Sequence, residues 1–130
     1  MPDNAGFSLT ALALVALGGA AGSALRFLVS ESVGRLARGV FPWGTLVVNV
    51  SGAFAAGCLV GLLAASSDNA APAWTLLGVG LIGSYTTVSA LAIQLQVLTS
   101  GGERRLATLY LLASLGLGLP AAALGLWVGG

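Results

Sequence analysis

Lysine and histidine are missing altogether, and charged residues make up only 7% of the 130 positions. A soluble domain carries roughly a quarter charged residues, so this chain cannot cover itself in water. The formal net charge of +1 provides neither a basic field for nucleic acid nor a block of like charge for a membrane surface. Nucleic-acid binding is set aside. A single cysteine, Cys58, can form neither an internal disulfide nor a thiolate cluster for metal, and in its apolar surroundings it reads as a small packing residue. The first ten residues contain Asp3 but no Lys or Arg. The positive region of a cleaved signal peptide is therefore missing, and the apolar stretch that follows reads as a span.

Hydrophobic residues are what the chain has in quantity, at 57%. Crossing about 30 Å of hydrocarbon takes roughly 20 helical residues at about 1.5 Å each. Four apolar runs are long enough: Ser8 to Val29, Trp43 to Ala65 after the breaker Pro42, Ala73 to Leu98, and Leu106 to Val128. Backbone groups in lipid must be satisfied within their own segment, so each run is expected to be a helix. The length allows one all-α transmembrane domain over residues 1–130 and no further soluble domain.

The connectors are expected to hold nearly all the charge: Glu31, Arg35 and Arg38 in the first, Asp68 in the second, Glu103, Arg104 and Arg105 in the third. Four arginines thus fall in the first and third connectors, against none in the second or at either end. The positive-inside rule then places both termini outside the cytoplasm, with one fixed orientation.

No Asp, Glu, His or Lys lies inside any span. A proton-coupled carrier needs a titratable group in the membrane and a small exporter of drug cations needs an acidic one, so both are disfavoured. The Ser, Thr and Cys hydroxyls and thiol have no base to activate them, so the chain is not expected to be an enzyme. A passive path lined by hydrogen-bond donors remains.

Polar residues at bilayer depth are the candidates for function. Arg26 stands near the end of the first span, where it either snorkels to the interface or serves a pore. The Asn49 amide, within Gly44-Thr45-Leu46-Val47-Val48-Asn49-Val50-Ser51-Gly52, can pin helices or present N–H groups to an anion. The densest patch is Gly83-Ser84-Tyr85-Thr86-Thr87-Val88-Ser89, followed by Gln94 and Gln96. There the helix either breaks, freeing carbonyls that can coordinate a cation, or continues with its hydroxyls bonded back to the backbone. Tyr110 and Ser114, four apart, share a face and either line a path or cement two helices.

Small residues four apart, Gly18 with Gly22, Gly57 with Gly61 and Gly118 with Ala122, allow close helix approach, most simply within the bundle. Four short helices enclose little interior. Assembly with a second subunit is the natural remedy.

Three segments in three successive spans, Gly18 to Phe27, Trp43 to Asn49 with Gly52, and Gly83 to Ser89, make the chain resemble the CrcB or Fluc fluoride channels, and the likeness covers nearly its whole length. The resemblance implies a four-helix subunit with its third helix broken near the middle, paired antiparallel with a second subunit, and two narrow fluoride pores at their interface. It also implies a structural sodium ion held by backbone carbonyls, here those of Gly83 and Thr86. Asn49 matches the pore asparagine and Arg26 the vestibule arginine, and Tyr110 with Ser114 resembles the polar track on the last helix. Fluoride is small and tightly hydrated, so donors must replace its water. The Asn49 amide and the hydroxyls of Thr87 and Ser89 are the candidates beside that track.

The family usually places two phenylalanines in the third-helix segment, with their positive ring edges toward the ion. Here those positions hold Val88 and Leu91. Together with the fixed orientation, this departure implies a heterodimer in a bacterial inner membrane, completed by an oppositely inserted paralogue that keeps the rings. The expected function is passive fluoride export that lowers cytoplasmic fluoride. The alternatives are a non-conducting partner subunit, a small multidrug-type exporter, and a structural protein without transport.

Overall fold

The computed structural model describes residues 8–64 and 70–130, and among them the chain is helical throughout, apart from turns and caps. Four helical stretches are long and apolar enough to cross a membrane: Leu9–Ala37, Trp43–Ala64, Ala70–Ser100 and Arg104–Gly129. The protein is a multi-pass membrane protein. Asp3, Ala65 and Asp68 lie outside the described residues.

Helix α1, Leu9–Ala37, is capped by the Ser8 hydroxyl, which accepts from the Ala11 N–H at 2.9 Å. It runs two turns past the apolar run because nothing between Val29 and Ala37 breaks a helix. Glu31 and Arg35 are therefore helical, and only Arg38 of that charged group lies in the connector. The stop is made at Arg38 and Gly39, with φ of 50° and 97°, a region that glycine enters without strain. Pro42 then precedes α2, Trp43–Ala64, consistent with its missing N–H and its fixed φ.

The third span is composite. Helix α3, Ala70–Ala73, passes into a wider π-helical segment, Trp74–Ile82, and then into α4, Gly83–Tyr85. Thr86 (φ −78°, ψ 157°) and Thr87 (φ −152°, ψ 121°) are extended, and α5, Val88–Ser100, follows. A turn with Gly102 at φ 85° leads to α6, Arg104–Gly129. Arg104 and Arg105 thus begin a helix instead of filling the connector. Pro120 lies inside α6, where neighbouring helices can re-satisfy the carbonyl that it leaves free.

Close approach of backbones organises the bundle. On α2, Gly57 faces the Ala122 carbonyl of α6 and Gly61 faces Leu126 and Gly129. From the other side, Gly125 and Gly129 face the backbones of Phe54 and Cys58. Added Cβ atoms there would strike backbone. The expected Gly118–Ala122 pair acts differently: Ala122 lends its carbonyl to this seam, whereas a Cβ at Gly118 would meet nothing within 4 Å. On α1, Gly18 and Gly22 lie against the backbone of the π-helical segment and α4, at Leu76, Gly80, Leu81 and Tyr85. Leu46, Leu98, Ala107 and Tyr110 form a small cluster of buried side chains, with Leu91 and Leu95 partly buried against it, while Val48 and Leu59 are buried apart from it. Many other large apolar side chains, among them Leu12 and Trp127, face outward, as expected where lipid is the solvent.

Candidate functional site at the helix break

The break in the third span sits against α2. Gly52 has no room for a Cβ because the Thr86 methyl occupies that place, and one turn earlier Asn49 points at Thr87. Its Nδ2 donates to the Thr87 carbonyl at 2.8 Å, and its Oδ1 accepts the Thr87 N–H at 2.8 Å. One side chain thus satisfies both backbone groups of an extended residue that is itself buried, where unpaired groups are costly. The second Nδ2 hydrogen remains for another acceptor.

Helix hydrogen bonds around the break are rerouted. The Thr87 N–H would reach the Gly83 carbonyl in a continuous helix, but it serves Asn49. The Ala90 N–H would reach Thr86, but the Thr87 hydroxyl caps it at 3.1 Å. The Thr86 N–H and hydroxyl both go to the Ile82 carbonyl at 3.0 Å. Gly83 and Thr86, the pair that the resemblance assigns to sodium, are among the four carbonyls from Gly83 to Thr86 that lose their helical donors at the break. Carbonyl oxygen is the donor type that a hard monovalent cation accepts, so the residues fit that group. Among the described residues no cluster of His, Cys, Asp and Glu could hold a metal by side chains.

The hydroxyls of Thr87 and Ser89 lie 3.1 Å apart, Thr87 buried and Ser89 exposed. With Thr87 donating, the Ser89 proton is free to turn to an anion. Beside them a cleft of about 270 Å³ is lined by Arg26, Ser23, Ser30, Thr45 and Thr87, so Arg26 and the break share one cavity. A wider opening of about 440 Å³ lies toward Arg38, Trp43 and Gln94, and shares Ser30 and Thr45 with that cleft.

Tyr110 and Ser114 are placed otherwise. Tyr110 is fully buried, its hydroxyl donates to Gln94 Oε1 at 2.7 Å, and its ring meets Phe41 edge-on at 5.6 Å. Ser114 donates to the Tyr110 carbonyl at 2.8 Å. Both protons are committed inside the subunit, joining α5 to α6 and tying α6 to itself. Val88 points outward, 79% exposed, whereas Leu91 packs on the cluster around Leu46. A contact that the sequence did not suggest is the Ser51–Tyr85 hydroxyl pair, 2.9 Å apart, which binds α2 to α4.

A family model described as CrcB-like protein, Camphor Resistance (CrcB), matches residues 13–126. The chain belongs to this family. It is 42% identical over 117 residues to a protein of Chelativorans sp. named Fluoride-specific ion channel FluC, covering 90% of this chain and 94% of that one. Proteins of the same name from Rhizobium johnstonii and Agrobacterium fabrum are 42% and 41% identical, covering 88% and 91% of this chain and 92% and 94% of theirs.

Proposed function

We propose that this chain is a subunit of a fluoride-specific channel that lowers cytoplasmic fluoride by passive export. The observation that carries the reading is the Asn49–Thr87 pairing at a break in the third span. It stands in a chain whose relatives, over nine tenths of its length, are named as such channels. Asn49 keeps one N–H for a dehydrated anion, and the Ser89 hydroxyl, linked to Thr87, is the next donor. Arg26 draws the anion into the cleft beside Thr87 from the arginine-bearing end, which the positive-inside rule makes cytoplasmic. Both termini are then extracytoplasmic. Tyr110 and Ser114 belong to the wall of the path, where they hold its helices in register.

A structural sodium ion held by the Gly83 and Thr86 carbonyls would supply fixed positive charge near the anion. Gly83 is exposed in the single subunit, so such an ion would lie where a second, antiparallel subunit meets it. A paralogue is the favoured partner, because Val88 and Leu91 offer no ring edge to an ion.

Fluoride efflux from liposomes holding this chain alone, and then with a candidate paralogue, tests the proposal. Fluoride-selective efflux in either case supports it, and none in both defeats it. Efflux only with the paralogue, persisting when this chain's Asn49 is replaced, favours the second reading, a partner that completes pores without conducting. Its motive is the aliphatic Val88 at an exposed position.

A further inference from the structure

We infer that Asn49 is a positioning residue which holds the third span open at Thr87 and so frees the Gly83 carbonyl. The consequence for a cation rests on the sodium reading above, but the inference itself concerns only this chain's backbone.

Thr87 has one N–H and two candidate acceptors. In an uninterrupted helix it would close on Gly83, four residues back. Asn49 Oδ1 competes for it from α2, and wins because the same amide also satisfies the Thr87 carbonyl through Nδ2, with both distances 2.8 Å. The geometry is a two-point clamp, so Thr87 is fixed in orientation as well as position. Neighbouring contacts prevent the clamp from drifting: Gly52, one turn along α2, admits the Thr86 methyl, and Thr86 returns its own N–H and hydroxyl to Ile82. The Thr87 side chain then caps α5 at Ala90, so the second half of the span starts afresh instead of continuing the first. Removal of the amide leaves the Thr87 N–H without a buried partner, and the remedy that helix geometry offers is the Gly83 carbonyl, four residues back.

The sequence contains only two Gly-Ser linkages, Gly22-Ser23 and Gly83-Ser84. Full-length protein in micelles, carrying ¹³C at glycine carbonyls and ¹⁵N at serine, therefore gives two linkage-filtered NMR signals, and Ser23→Ala removes one to assign them. In sodium-free buffer, Asn49→Leu should move the Gly83 carbonyl signal downfield, the direction of an accepted backbone hydrogen bond, while Gly22 stays in place. If Asn49→Leu does not fold, Asn49→Ser carries the same comparison, because its hydroxyl is too short to reach both Thr87 groups. A Gly83 signal unmoved in the folded variant overturns the inference. Addition of sodium to the unmodified protein is a separate arm: a Gly83 shift there supports the sodium reading and its absence defeats that reading alone.

Discussion

The part of the third span that precedes the break lies on α1 backbone to backbone, with Gly18 and Gly22 leaving no space for a Cβ against Leu76, Gly80, Leu81 and Tyr85. The part that follows, α5, meets α6 through side chains, with Leu98, Ala107 and Tyr110 buried together and Tyr110 bonded to Gln94. Backbone contact fixes position sharply and tolerates no added atom. Side-chain contact is more forgiving, because rotamers and methyl groups can adjust. A continuous helix would have to satisfy both contacts with one axis. The break lets each half take its own neighbour, and the Asn49 amide is the joint between them.

Removal of that joint should give the largest effect. Asn49→Leu leaves the buried N–H and carbonyl of Thr87 without their partner, at about 1–3 kcal/mol each if nothing replaces it. A loss of about 3 kcal/mol at the conducting geometry corresponds to roughly a hundredfold in rate. Fluoride efflux from liposomes should fall by about that factor, with the variant still folded by circular dichroism. Flux within a few fold of the unmodified protein would mean that the two halves keep their relation without the amide.

The glycine side of the comparison comes next. Gly22→Val places branched atoms against the Leu81 carbonyl and the Tyr85 N–H, and should destabilise by about 1–3 kcal/mol or prevent folding. Gly118→Ala, at a half-buried position of α6 with nothing within 4 Å of its added Cβ, should be neutral or stabilising by up to about 1 kcal/mol, because it relieves glycine's backbone entropy inside a helix. Unfolding in mixed micelles measures both. Equal stabilities would show that close backbone contact is not what holds the first half on α1.

Much of this was legible beforehand, for physical reasons. The requirement to span hydrocarbon made four helices readable from apolar length, and Pro42 announced the start of α2. Spacing alone indicated that Gly18, Gly22, Gly57 and Gly61 allow close approach. Gly125 and Gly129 carry the same four-residue spacing and are readable in the same way, whereas the equal spacing of Gly118 and Ala122 includes a glycine whose added Cβ would meet nothing within 4 Å. Spacing gives the face of a helix but not its neighbour. Charge proved a poor marker of helix ends, because Glu31, Arg35, Arg104 and Arg105 are helical where α1 and α6 reach beyond the apolar core. The π-helical turn left no mark in residue type. The Asn49–Thr87 clamp joins residues 38 apart, a relation that no local pattern encodes.

Tyr110→Phe tests the forgiving side. The change removes the hydroxyl that donates to Gln94 Oε1 and leaves that oxygen to find another donor, so a loss of about 1 kcal/mol or somewhat more in stability is expected. The ring stays in place against Phe41. If Tyr110 serves as cement, fluoride flux per folded channel should stay within about twofold, since a changed path would need at least about 0.4 kcal/mol at the barrier to show more. A tenfold loss at unchanged stability would mean that its proton turns from Gln94 to the ion during passage.

The smallest effect on the isolated chain is expected at the position where the family places a ring. Val88 is 79% exposed at the start of α5, so Val88→Phe adds its ring where no atom of this subunit competes for the space, and stability should change by no more than about 0.5 kcal/mol. Leu91→Phe is the control from the same helix. Leu91 packs on the cluster of Leu46, Leu98, Ala107 and Tyr110, and a larger side chain there should cost about 1–3 kcal/mol. If the two residues were equivalent relics of one aromatic pair, the two substitutions would behave alike, and the structure says that they will not. The functional comparison follows from the same asymmetry. Efflux from liposomes with Val88→Phe alone should rise above that of the unmodified chain if a ring edge at this exposed site faces the ion across a subunit interface. Unchanged flux, with the variant assembled as well as the parent, would show that the outward face of Val88 meets lipid, and that whatever aromatic contact the ion makes comes from elsewhere.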